Sequence, residues 1–155
     1  MDGNQFALGQ FETPLDVADL VVSLAVQRPG DHVLDPSCGE GFLLDRAAAW
    51  MRWLAGTPRE KLPGRLQGLE RNQDAANRLQ QRLPEAQIAN INYLGLTQID
   101  LEPVDAIIGN PPFLGGYKIR QELGDDYVDK VFKRFSDTHA QIDFSCYWFR
   151  LAHQN

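Results

Sequence analysis

The sequence predicts an α/β fold: a mostly parallel sheet with helices on both faces. Three observations lead there. Short apolar runs alternate with longer stretches of helical periodicity, the order that yields parallel strands joined by helical crossovers. The first run passes directly into a turn carrying two closely spaced glycines, Gly39 and Gly41. Two later runs end on hydrogen-bonding side chains, Glu70 and Asn110, where strands of an open sheet meet a ligand.

Each element follows from its local pattern. Residues 9–14 (GQFETP) form a polar, turn-prone entry. The apolar positions Leu15, Ala18, Val21, Val22 and Ala25 recur at helical spacing, and Arg28-Pro29-Gly30-Asp31 stops that helix. His32 to Asp35 (HVLD) is a short apolar strand feeding the turn Pro36-Ser37-Cys38-Gly39-Glu40-Gly41. Phe42 to Leu54 is apolar enough for a helix with a buried face, and Gly56 to Gly64 reads as a loop from its glycines and prolines. Arg65 to Glu70 (RLQGLE) is a second strand, and Gln73 to Leu83 a polar-faced helix stopped by Pro84. Gln87 to Asn92 (QIANIN) alternates as a half-buried strand should. Val104 to Asn110 (VDAIIGN) is a fourth strand, closed by Pro111-Pro112. Past Phe113 the pattern weakens to a flexible Gly115-Gly116 and two helices, Asp125 to Phe135 and Asp143 to His153.

A chain of 155 residues suits one domain with a real core. No apolar run is long enough to span a bilayer, and Met1 to Gln10 lack the features of a signal peptide, so the expected address is the cytoplasm with no membrane partner. Cys38 and Cys146 lie far apart, and with three histidines they suggest neither a disulfide framework nor a metal site. A net charge of −6 argues against a broad nucleic-acid-binding face. The local exception is Lys118, Arg120, Lys130, Lys133 and Arg134, diluted by Asp125, Asp126 and Asp129 and read as a solvated helix face.

Four pieces carry chemistry. In the turn after the first strand, Gly39 and Gly41 permit close backbone approach and unusual torsions, and Asp35 can accept from an amine or order the turn. Glycines serving only a strand-to-helix turn would look the same. Glu70 can accept from ribose hydroxyls, or it is a solvated strand-end carboxylate. Thr13 precedes a helix whose N-terminus suits a carboxylate; the plainer reading makes Thr13 the N-cap and Pro14 the first helical residue. The sharpest signal is Asn110-Pro111-Pro112-Phe113. An exocyclic purine amine is a poor nucleophile because its lone pair is delocalised into the ring. Two acceptors on its hydrogens, the Asn110 side-chain oxygen and a carbonyl of the stiff Pro-Pro run, localise that pair for in-line attack on a methyl. Phe113 can stack on a base turned out of a duplex; otherwise the run is a rigid turn with Phe113 in the core.

In this order the pieces resemble the gamma-type amino-methyltransferases of DNA, across about residues 9 to 114. GQFETP, DPSCGEGFLL, Glu70 and NPPF match that family's elements. The stretch after NPPF, including Glu122-Leu123-Gly124-Asp125 and Asp143-Phe144-Ser145-Cys146-Tyr147-Trp148-Phe149, is similar to the MmeI-like restriction–modification and phage-defence branch. The resemblance implies a Rossmann-like class I fold that uses S-adenosylmethionine to methylate the N6 amine of adenine in DNA, with no covalent intermediate and no metal. Thr13 and the turn Asp35, Pro36, Ser37, Cys38, Gly39 and Gly41 would hold the methionine part of the cofactor. Glu70 would bind the ribose, and Asn110, Pro111, Pro112 and Phe113 would position the adenine. Asn92 takes the place of the acid that many relatives carry beside the cofactor's adenine.

The family sheet has more strands than the four found, so residues 1–155 are expected to be one catalytic domain, incomplete on its C-terminal side. A target-recognition domain is expected to be missing and double-stranded DNA to bind through it, while the exposed edge of the fourth strand invites self-association. Cys38 is expected to pack rather than react, and Phe144, Tyr147, Trp148 and Phe149 to form a core helix face. Two other readings stand beside the DNA one: a methyltransferase for RNA or a protein glutamine amide, and a non-catalytic fragment that needs a partner.

Overall fold

The computed structural model describes residues 12–57, 61–95, 102–113, 120–121, 124–135 and 143–153. Two compact units divide the chain: Thr13–Tyr93 with Leu101–Asn110, and Met1–Glu12, Leu94–Asp100 and Pro111–Asn155.

The first unit holds α1 (Leu15–Ala25), β1 (His32–Asp35), α2 (Phe42–Leu54), β2 (Arg65–Glu70), α3 (Gln73–Arg82), β3 (Gln87–Asn90) and β4 (Ala106–Ile107). Its strands form one sheet in the order β3-β2-β1-β4. All three pairings are parallel, as the alternation of strands and helices predicts. After β1 the chain steps outward through β2 and β3, then returns to the other side of β1 as β4. The topological switch point therefore lies between β1 and β4, beyond whose carboxyl ends an open sheet of this kind takes its ligand.

β1 lies between β2 and β4, and all four of its residues are buried. Val33 and Leu34 join Leu44, Ala47, Met51, Leu66, Leu79 and Ile108 among the core side chains. Each large aliphatic group buried there contributes about 1.5–3 kcal/mol. The Trp50 indole donates to the Val26 carbonyl at 3.0 Å and ties α2 to the end of α1.

Two strands are shorter than the sequence suggests. β4 keeps two residues of the expected Val104 to Asn110, flanked by bonds from the Asp105 N–H to the His32 carbonyl and the Ile108 N–H to the Leu34 carbonyl. β3 stops at Asn90, so Asn92 follows the strand instead of ending it. On α1, Ala18 and Val22 are buried as expected, but Leu15 is 55% exposed.

The second unit holds α4 (Asp125–Arg134) and α5 (Phe144–Ala152). Asp143 caps α5 by accepting from the Ser145 N–H at 2.9 Å. Tyr147 and Trp148 are core, as expected, whereas Phe149 is 56% exposed. A stripe of aromatic residues in sequence is wider than the face one helix can bury. Lys118, Glu122 and Leu123 lie outside the described residues.

Candidate functional site

Asp35 ends β1 beside the switch point. It is 2% exposed, and its Oδ1 accepts from the Ser37 N–H at 3.1 Å. Burial, reinforced by the nearby Glu70 charge and opposed by the Ser37 N–H, pushes its carboxyl up to about 7. Oδ2 has no hydrogen bond among the described residues.

Glu70 ends the neighbouring strand and reaches back across it. Its Oε2 accepts from the Gly39 N–H at 2.9 Å and its Oε1 from the Asn72 N–H at 2.7 Å. Only 8% exposed, it is a structural tie and not a solvated strand-end carboxylate. One acid thus links the end of β2, the glycine turn and the start of α3. Each oxygen keeps a second lone pair for a ligand hydroxyl.

The turn is held on three sides. The Cys38 N–H donates to the Leu69 carbonyl at 3.0 Å, and the Gly41 N–H to the Cys38 carbonyl at 2.7 Å. From α3, Arg82 donates to the Glu40 carbonyl and to Asp45 of α2, while Arg78 pairs with the Glu40 carboxylate at 2.6 Å. Gly39 and Gly41 adopt φ of 53° and 81°, the left-handed region that favours glycine. Burial, with Asp35 and Glu70 adding to it, pushes the Cys38 thiol well up, so it packs as a small apolar group and is no nucleophile at neutral pH.

Asn110 follows β4 on the other side of the switch point. Its Nδ2 donates to the Thr13 hydroxyl at 3.2 Å. Thr13 therefore does not cap α1: Pro14 occupies the N-cap position, with no side-chain capping bond. The hydroxyl that would have capped the helix instead accepts from the donor end of the Asn110 amide. Pro111 is buried, Pro112 half-buried and Phe113 48% exposed, so Phe113 is not a core residue.

The structure brings Asp35, Ser37, Cys38, Gly39 and Glu70 together, and separately Thr13 and Asn110. Pro36 is buried inside the same turn. Sequence reasoning missed Asn90, whose Nδ2 donates to the Glu70 and Arg71 carbonyls, each at 2.9 Å. It also missed Arg82. An asparagine ending the third strand was a visible signal for the first; nothing local marks an arginine 42 residues from the carbonyl it holds.

These residues fit S-adenosylmethionine. Asp35 is a buried acid with an oxygen to spare for an ammonium group. The Ser37 hydroxyl is buried with no hydrogen-bond partner. A Cβ placed on Gly39 would meet nothing within 4 Å, so the turn has open space beside it. Among the described residues no group of three or more metal-ligating side chains occurs, and no helix is long and apolar enough to cross a membrane.

Solved structures share this architecture. The chain is similar to a methyltransferase subunit of a type I restriction-modification system from Streptococcus thermophilus, with 24% identity and a TM-score of 0.54 over 70% of this chain and 25% of that one. A modification subunit assigned to a type I restriction enzyme of Vibrio vulnificus gives 24% and 0.51 over 81% and 30%. A protein of Listeria monocytogenes assigned as a class I S-adenosylmethionine-dependent methyltransferase gives 16% and 0.56 over 78% and 37%. The chain thus spans about a quarter to a third of the first two, and the fold is the Rossmann-like class I methyltransferase fold. No curated protein sequence matches it. The family model described as N-6 DNA Methylase covers residues 4–150, the same stretch that carries the glycine turn, the strand-end acid and the Asn-Pro-Pro-Phe run, and the chain belongs to that family.

Proposed function

We propose that this chain is the cofactor-binding and base-positioning core of a DNA methyltransferase, transferring a methyl group from S-adenosylmethionine to the N6 amine of adenine. The observation that carries this reading is the pairing of two sites about one switch point. The Asp35–Gly39–Glu70 cradle ends β1 and β2, and Asn110, its amide fixed by Thr13, follows β4.

When bound, S-adenosylmethionine supplies an electrophilic methyl on a sulfonium. Asp35 accepts from the ammonium group of its methionine part, beside the Ser37 hydroxyl and the turn's backbone. Glu70 accepts from ribose hydroxyls with the lone pairs that Gly39 and Asn72 leave, and Asn92 is assigned to the cofactor's adenine. Asn110 Oδ1 and a carbonyl of Pro111-Pro112 accept from the target amine, localising its lone pair, and Phe113 offers its exposed ring to the flipped base. No side chain has to form a bond to the base.

The order GQFETP, DPSCGEG, Glu70, NPPF supports the gamma-type arrangement, and the segments after NPPF support the MmeI-like branch. Restriction–modification as the setting is in keeping with the two type I neighbours, a methyltransferase subunit and a modification subunit, and double-stranded DNA as substrate with partner subunits belongs to the same reading. In this reading residues 1–155 form one catalytic module, and sequence-specific base reading belongs to a separate recognition domain.

Calorimetric titration of S-adenosylmethionine into the chain tests the proposal, with Asp35→Ala and Glu70→Ala alongside. Saturable binding that both substitutions weaken at least tenfold is expected. No binding to a folded wild-type chain would favour the partner-dependent reading. Methyl transfer to RNA or a protein amide in preference to DNA would replace the substrate.

A further inference from the structure

Asn90 ends β3 in register with Glu70, the last residue of β2. Its side-chain amide turns across to that strand, and Nδ2 donates to the Glu70 and Arg71 carbonyls, each at 2.9 Å. An amide nitrogen carries two hydrogens, and here each has its own carbonyl, so the group cannot flip without losing both bonds. The Ile91 N–H also donates to the Glu70 carbonyl, at 3.0 Å. Among the described residues, the Arg71 carbonyl accepts from Asn90 alone.

These bonds close a loop of constraints. Residues 71 and 72 carry the chain from β2 into α3, and the Asn72 N–H is one of the two donors that hold the Glu70 carboxylate. α3 in turn holds β3: Gln80 accepts from the Ile88 N–H and donates to the Ala86 carbonyl, both at 3.0 Å. β3 then carries Asn90 back to the carbonyls of Glu70 and Arg71. The link between β2 and α3 is therefore fixed from a strand that α3 itself fixes.

The position of that link decides where Glu70 points. One carboxylate oxygen accepts from the Gly39 N–H, the other from the Asn72 N–H. If the link swings outward, the Asn72 donor goes with it, and the lone pairs left for a ligand hydroxyl turn with the carboxylate. Hydrogen bonds weaken steeply with misalignment, so a small rotation costs ligand binding more than it costs folding. The bond to the Arg71 carbonyl lies at the surface, where water can replace it at little net loss. Asn90 is thus placed to govern geometry more than stability.

We propose that Asn90 is a positioning residue for cofactor binding: through the carbonyls of Glu70 and Arg71 it aims the Glu70 carboxylate at the ribose hydroxyls. The proposal rests on the S-adenosylmethionine reading above and deepens it, adding a residue that acts on the cofactor only through Glu70.

Calorimetric Kd values for S-adenosylmethionine and for its 2′,3′-dideoxy analogue, which lacks the ribose hydroxyls, test it in the wild-type chain, Asn90→Ala and Asn90→Asp. Asn90→Ala should weaken S-adenosylmethionine several-fold and leave the analogue at its wild-type Kd, so the preference for the hydroxyls contracts. Asn90→Asp keeps the size of the side chain but cannot donate, and should lose at least as much. Melting temperatures of both variants should stay close to wild type. Equal weakening of both ligands would make Asn90 a general structural residue and overturn the proposal, as would wild-type affinity in either variant or a variant that no longer folds. A folded wild-type chain that binds neither ligand overturns the S-adenosylmethionine reading instead. One that binds both equally removes the Glu70 contact to ribose, and the proposal with it.

Discussion

At the residue scale, Asp35 shows how tertiary burial converts a common acid into a tuned one. Its carboxyl is raised from 3.8 to about 7, chiefly by burial. The folded state therefore holds this proton more tightly than the unfolded chain does. Its effect on stability is most favourable below about pH 4 and declines as pH rises through 7, by roughly 4 kcal/mol at most. The melting temperature of the cofactor-free protein should fall between pH 5 and 8, and Asp35→Asn should flatten that fall. Parallel melting curves for the two proteins would show that Asp35 is not the group responsible.

At the element scale, the helices matter for how they fix the turn. α2 begins at Gly41 in the left-handed region, and a Cβ there would lie 2.3 Å from the Leu79 side chain of α3. Leu79 is fully buried and cannot swing aside cheaply. Gly41→Ala should therefore combine backbone strain with overpacking and cost about 2–4 kcal/mol, read as a lowered urea midpoint. A midpoint within error of wild type would mean that α3 can move off the turn. α3 itself starts at Asn72, whose side chain caps the helix by accepting from the Ala75 N–H at 3.0 Å while its own N–H ties down Glu70. The helix start and the candidate ribose acid share one residue, so positioning the acid and starting the helix are one event.

At the scale of the molecule, the described sheet has two edges, β3 and β4. β4 pairs with β1 on one side only, and the described sheet has no strand beyond it. An unpaired edge invites another strand, though two residues of ladder offer few bonds. The expectation is concentration-dependent self-association, measured by light scattering; a constant monomer mass over a hundredfold concentration range would count against it.

The sequence by itself determined the alternation of strands and helices and the bounds of β1, α2 and β2, and it singled out Asp35, Gly39, Gly41, Glu70 and Asn110 as candidates for the site. These were legible because they rest on short-range effects: apolar periodicity, glycine torsions and polar residues at strand ends. Family membership was legible because the motifs occur in a fixed order. Only the tertiary structure decided which groups meet. Thr13 lies 97 residues from Asn110 and Arg82 lies 42 from the Glu40 carbonyl; no local pattern encodes either bond. It also shortened β4, whose apolar run continues past its ladder because Ile108 is buried in the core. Sequence periodicity reports which residues avoid water, while ladder length, side-chain partners and the raised Asp35 carboxyl depend on what packs against them from distant parts of the chain.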